Sequence, residues 1–162
     1  MARALIVGCG CHGRELGSEL LGLGWRVRGT SRRAAGLRRI GEAGLEPAAA
    51  DPDRPGTVLE LCGDVAVVVW LLGSATGDPA AIAAIHRPRL ESLLEKLVDS
   101  PVRGFAYEAS GSAHGETLAE GARIVRRAGE TWRIPVALLS EDRGERGWAT
   151  RTAAAVAGLL TG

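Results

Sequence analysis

The stretch that most restricts what this chain can become is Ala4 to Gly13, ALIVGCGCHG. A short apolar run, Ala4-Leu5-Ile6-Val7, runs straight into Gly8-Cys9-Gly10-Cys11-His12-Gly13, a complete G-x-G-x-x-G. The next segment, Arg14 to Leu23, has Leu16, Leu20 and Leu23 at helical spacing. Strand, glycine turn and helix together are the context in which that pattern points to dinucleotide binding. Each glycine has its own mechanical role. Gly8 allows the tight turn, Gly10 lets backbone approach a pyrophosphate closely, and Gly13 lets the helix pack on the strand. The first N–H groups of the helix have no partner within it and face the phosphates, helped by the helix dipole. Cys11 and His12 sit in that turn and are candidates for contact with the phosphates. With 23 glycines in 162 residues, chance matches to the pattern are not rare, so its position after a buried-type strand carries the argument.

The remaining chain alternates in the same way. Trp25 to Thr30 reads as a second strand, and Ser31 to Gly44 as a helix with Leu37 and Ile40 on its apolar stripe and Arg38 and Arg39 on its wet face. Leu45 to Ala50 is a third strand, and Pro55 to Leu61 a short helical turn. Asp64 to Leu72, DVAVVVWLL, is apolar at nearly every position, as a central parallel strand covered on both faces must be. Asp78-Pro79 starts a long helix, Ala80 to Val98, which Pro88 should kink or restart. Val102 to Tyr107 is a fifth strand, Glu116 to Glu130 a helix, Ile134 to Leu139 a sixth strand, and Trp148 to Leu160 a closing helix. Strict alternation implies parallel strands with helices on both faces, in one domain spanning residues 1–162. The expectation is a three-layer, doubly wound α/β fold with a six-stranded sheet in the order 3-2-1-4-5-6 and a ligand crevice between strands 1 and 4.

The end of strand 2 selects the dinucleotide. An acidic residue there binds the ribose 2′-hydroxyl of NAD. This chain has Thr30-Ser31-Arg32-Arg33 instead. Two guanidiniums suit the 2′-phosphate of NADP, which a carboxylate would repel. NADP is therefore the expected cofactor, with NAD as the alternative.

Composition closes off other classes. The net charge is +1, so no general basic field draws nucleic acid or an anionic membrane. No apolar run is long enough to span a bilayer, and no secretion signal is visible at the N-terminus; a cytoplasmic location is expected. Three cysteines, Cys9, Cys11 and Cys62, point to reduced thiols. Cys9-Cys11-His12 lacks a second ligand pair downstream, so no metal site is expected. Trp25, Trp70, Trp132 and Trp148 read as packing residues.

With these residues in place the chain resembles the NAD(P)-binding Rossmann proteins of the short-chain dehydrogenase/reductase superfamily. The likeness is to the extended and atypical branch, which includes epimerase-like reductases. It rests on ALIVGCGCHGRELGSELLGLGWRVRGTSRR, on Asp51 after strand 3, on DVAVVVWLLG and on VRGFAYEASGS. The resemblance implies that Asp51 lies near the adenine, that Leu71, Leu72 and Gly73 line the cofactor, and that Ser110 stands where the family has its catalytic serine. It also implies a tyrosine with a lysine four residues on, and that pair is missing. Lys96 is the only lysine, Tyr107 the only tyrosine, and Gly111 follows Tyr107 by four.

Other candidates for acid–base work are His114, Glu108, Glu116 and His86. Ser110 with His114 could form a donor–base pair; Glu108 is expected to pair with an arginine, His86 to lie exposed on its helix, and Tyr107 to be a packing residue. Three functions follow: a noncatalytic or regulatory NADP-binding module, an NADPH-dependent reductase of a small carbonyl or sugar-nucleotide-like substrate with unusual active-site groups, or a domain that has lost its cofactor. The apolar positions of helices 80–98 and 116–130 suggest a homodimer seam.

Overall fold

The computed structural model describes residues 1–161. Among these residues six strands form one parallel sheet in the order β3-β2-β1-β4-β5-β6. They are β1 (Arg3–Val7), β2 (Arg26–Ser31), β3 (Glu46–Ala49), β4 (Val67–Trp70), β5 (Gly104–Glu108) and β6 (Val136–Leu139). β1 lies at the centre, in register with β2 (Ala4 beside Val27) and with β4 (Ala4 beside Val67). β1 from Ala4 onward and all of β4 and β5 are buried, which is why β1 and β4 read as continuous apolar runs rather than alternating ones. β3 is an edge strand and carries Pro47, whose missing N–H an edge tolerates.

Helices cover both faces. On one side α1 (Cys11–Gly22), α2 (Ala34–Glu42) and α7 (Trp148–Gly158) bring Leu16, Leu20, Ile40, Trp148 and Val156 onto Ala4, Ile6, Val67 and Val69. On the other, α3 (Pro55–Leu59), α4 (Pro79–His86), α5 (Pro88–Leu97) and α6 (Gly115–Trp132) bring Val58, Ile85, Leu90, Leu94 and Val125 onto Leu5, Val68, Trp70 and Phe105. This is the expected three-layer doubly wound fold with the expected strand order.

Pro88 restarts the helix rather than kinking it. α4 ends at His86, Arg87 adopts φ −126° and ψ −95°, and Pro88 opens α5 at the position where its missing N–H is harmless. Asp78 caps α4 by accepting from the Ala81 N–H at 3.2 Å. On α5, Leu90, Leu93, Leu94 and Leu97 are each 2 % exposed or less and pack on the sheet, while Arg89, Glu91, Glu95 and Lys96 face solvent. Trp70 and Trp148 are buried and Trp25 half-buried, whereas Trp132 at the end of α6 is 44 % exposed.

Candidate functional site

β1 delivers the chain into the glycine turn at the middle of the sheet. Gly8 takes φ +87°, and a methyl there would lie 2.6 Å from the Leu71 carbonyl oxygen. The turn is held from β2: Thr30, buried, accepts from the Gly8 N–H through Oγ1 at 3.3 Å and from the Cys9 N–H through its carbonyl at 3.1 Å. Thr30 thus positions the turn. Cys9 points inward between Gly13 and Gly29, and burial pushes its thiol up to about 12. A methyl on Gly13 would sit 3.2 Å from the Cys9 sulfur, so this glycine sets the close approach of α1 to the sheet. α1 begins at Cys11, three residues earlier than the leucine spacing suggests, with Gly10 as an N-cap that offers no side-chain bond. A methyl built on Gly10 meets nothing within 4 Å.

That open space belongs to a crevice of about 650 Å³ along the carboxyl ends of β1, β2 and β4. Gly8, Gly10, Cys11, Thr30, Ser31, Arg32, Arg33, Asp51, Leu71 and Leu72 line it, all expected from the sequence. Ser31 accepts from the Arg33 N–H at 3.2 Å, and a methyl on Gly36 would strike the Ser31 hydroxyl, so the start of α2 folds tightly over this end. Asp51 accepts from the Asp53 N–H at 2.9 Å, while Thr57 receives the Asp51 N–H at 2.9 Å and fixes the loop after β3.

Three arginines in the crevice are not expected from the sequence: Arg14 on α1, Arg39 on α2 and Arg143 in the loop after β6. Arg39 follows Gly36 by three residues, so helical spacing from the crevice-facing glycine would have found it. Among the described residues Arg14, Arg32, Arg33 and Arg39 form no ion pair. At the opposite end of the sheet Arg3 and Arg28 are matched by Glu46 and Asp64. On the crevice side these four guanidiniums stand unpaired, with the carboxylates of Asp51 and Asp78 also in the lining.

Five predicted site residues do not line the crevice. Gly13 is buried on the sheet-facing side of α1. His12 turns toward α7: its ring meets Trp148 edge-on at 5.9 Å between centroids and lines a second cavity of about 420 Å³. Gly73 is pressed against the loop after β5, where a methyl would collide with the Ser110 carbonyl oxygen. Ser110 is half-buried in that loop. His114 is exposed and caps α6, accepting from the Glu116 N–H through Nδ1 at 3.3 Å, and among the described residues no hydrogen bond joins it to Ser110.

Glu108, expected to find an arginine, does so. It is 1 % exposed, receives Arg143 with Nη2 at 2.7 Å from Oε1 and Nε at 3.1 Å from Oε2, and accepts the Gly73 N–H at 2.8 Å.

His86 overturns its expectation of exposure; it is fully buried. Its Nε2 lies 3.0 Å from the Leu72 carbonyl oxygen, which can only accept, so Nε2 carries the proton. Nδ1 therefore accepts from the Tyr107 hydroxyl at 2.7 Å. Burial pushes the imidazole below its ordinary pKa and the phenol above its own. Gly121 makes the room, since a methyl there would collide with the phenol oxygen. The one tyrosine is thereby sealed in a buried pair beneath the crevice floor.

No family profile and no curated protein matches the sequence. Solved structures do match. UDP-glucuronic acid 4-epimerase from Bacillus cereus, in complex with NAD, superposes with a TM-score of 0.68 at 17% identity, over 84% of this chain and 54% of that one. What they share is the Rossmann fold. Triphenylmethane reductase from Citrobacter sp., complexed with NADP(H), gives 0.63 at 18% identity, over 85% of this chain and 49% of that one. UDP-glucose 4-epimerase from Thermotoga maritima gives 0.69 at 14%, over 84% and 54%. The chain spans about half the length of these structures. Among the described residues no helix is long and apolar enough to cross a membrane, and no cluster of three or more metal-ligating side chains occurs.

Proposed function

We propose that this chain is an NADP(H)-binding Rossmann module that is noncatalytic or regulatory. The observation that carries the reading is Gly10: the space where a Cβ would stand is open, at the head of a helix without a side-chain cap, facing the crevice. Bare backbone N–H groups at such a helix start bind phosphate. Gly10 and the N–H groups of Cys11 and His12 would hold the pyrophosphate; Arg32, Arg33 and Arg39 would take the 2′-phosphate, and Asp51 would lie by the adenine. The cofactor when bound supplies hydride chemistry; the chain's own residues bind and orient it.

Solved structures of the same fold with NAD and NADP(H) bound support the dinucleotide. The unpaired arginines favour NADP over NAD, because a dianionic phosphate gains charge-assisted hydrogen bonds from a guanidinium. The noncatalytic reading rests on chemistry. Tyr107 is buried and donates to His86, Lys96 is exposed on α5, and Ser110 and His114 are not hydrogen-bonded to each other.

Titration with NADPH and NADH tests the reading. NADPH should bind about tenfold tighter or better, a difference of about 1.4 kcal/mol or more, and Arg32→Ala with Arg39→Ala should erase the gap. Equal affinities refute the NADP assignment. NADPH oxidation with a panel of small carbonyl compounds refutes the noncatalytic one.

A further inference from the structure

The chain uses one side chain to tie together four elements around the second half of the crevice. Arg143 leaves the loop after β6 and reaches back across the sheet. It grips Glu108 at the end of β5 through Nε and Nη2. Its Nη1 stands 3.4 Å from Nδ1 of His12 in the first turn of α1. Glu108 in turn accepts the N–H of Gly73 at the exit of β4. Arg143 lines both the main crevice and the cavity beside His12 and Trp148, so its guanidinium is the partition between them.

In this fold a dinucleotide lies across the whole crevice, one mononucleotide over β1–β3 and the other over β4–β6. The first half is open here and lined by the glycine turn, Arg32, Arg33 and Asp51. On the second side the crevice reaches the exit of β4 and the start of α4, and among the described residues only Arg143 lines it from beyond β5. The exits of β4 and β5 are zipped together, with the Ala113 N–H on the Gly73 carbonyl at 2.9 Å and the Ser112 N–H on the Ser74 hydroxyl at 3.1 Å. Over them lies the Glu108–Arg143 bar. A buried carboxylate does not release its only cationic partner readily, since the charge left behind is uncompensated.

We infer that the crevice recognises the 2′-phospho-ADP-ribose portion of its ligand and leaves the nicotinamide ring undocked, with Arg143 as the bar across the ring's half of the site. The inference rests on the NADP reading and narrows it. The ligand class becomes 2′-phosphorylated adenine dinucleotides and their nicotinamide-free fragments. It also supplies a physical reason for the noncatalytic reading: a ring that is not seated is not held in line with an acceptor.

Calorimetry of the intact chain with NADPH and with 2′-phospho-ADP-ribose, which is NADP without its ring, tests this. The two should bind within about threefold of each other, since a ring that makes no contact adds less than about half of the 1.4 kcal/mol in a decade of affinity. The dihydronicotinamide fluorescence should keep its free-solution intensity and maximum on binding. In the double variant Glu108→Gln with Arg143→Met, the Gln oxygen still accepts from Gly73 while the bar is gone. NADPH should then gain about tenfold over the fragment. NADPH binding more than tenfold tighter than the fragment to the unaltered chain overturns the inference alone, whether or not the double variant folds. Equal weakening of both ligands in a folded double variant also overturns it, because Arg143 would then be holding the shared phosphates. Failure of both ligands to bind the unaltered chain overturns the NADP reading itself.

Discussion

Gly10→Ala separates binding from folding. The backbone at Gly10 has φ −85° and ψ −152°, in the extended region, and the added methyl touches nothing within 4 Å. Stiffening the unfolded chain stabilises by about 0.4–1 kcal/mol. Replacing glycine by alanine at an N-cap costs about 1 kcal/mol. The two nearly cancel, so the melting temperature should move by less than about 4 °C for a chain of this length. Binding is different, because the methyl occupies the space through which a pyrophosphate must approach the first N–H groups of α1. Losing one charge-assisted hydrogen bond costs about 1.5–3 kcal/mol, and displacement of the diphosphate removes more than one. The Kd for NADPH should therefore rise about 100-fold or more, at about 1.4 kcal/mol per decade. Gly8→Ala cannot make this separation, since φ +87° and the contact with the Leu71 carbonyl damage the fold itself. Differential scanning fluorimetry with calorimetric titration reads both quantities on one preparation. Unchanged NADPH affinity in a folded Gly10→Ala chain would refute the glycine-turn argument; a melting temperature about 10 °C lower would refute the claim of open space.

Three further outcomes follow from the buried groups. Gly121→Ala forces a methyl against the Tyr107 phenol and should cost about 2–3 kcal/mol by overpacking, read as a lower urea midpoint; a neutral effect would mean that the Tyr107–His86 pair is not fixed. Because burial depresses the His86 pKa in the fold, the unfolded chain binds the extra proton first, so stability should fall as pH drops below about 6.5, the ordinary imidazole pKa. Urea titrations at pH 7 and pH 5 should show a larger loss for the unaltered chain than for His86→Leu, and equal losses would refute the assignment. A thiol reagent should modify Cys11 alone in the native state, since Cys11 is exposed whereas Cys9 and Cys62 are buried with thiols pushed up to about 12 and about 11; mass spectrometry should find the label on Cys11, slowed by NADPH because Cys11 lines the crevice.

The architecture is legible because it is written in local periodicity. The run Val67–Trp70 could only be a strand covered on both faces, and Gly8 to Gly13 could only be a turn between strand and helix. The arginines at the end of β2 are legible for the same reason, since they adjoin a recognisable strand end. What local pattern cannot supply is pairing at a distance. His86 sits beside Arg87 and Pro88 in a stretch that looks like a solvated helix end, and its burial depends on Tyr107, 21 residues on, and on room made by Gly121. Arg143 lies in SEDRGERG, which reads as a wet loop; only the course of the chain after β6 brings it to Glu108, 35 residues earlier. His12 reads as a loop side chain facing phosphate, and Trp148, from the far end of the sequence, draws its ring away.

Trp148 on His12 and Thr150 on Glu19 also have a kinetic consequence. A ribosome delivers α1 well before α7, so the flank of the first helix stays unsheltered until residues 148–158 have emerged. Contacts between such distant positions slow folding, because a long loop must close before they reward it. The nascent chain therefore acquires its glycine turn before its rigid ligand-ready form, which waits for α7 to dock.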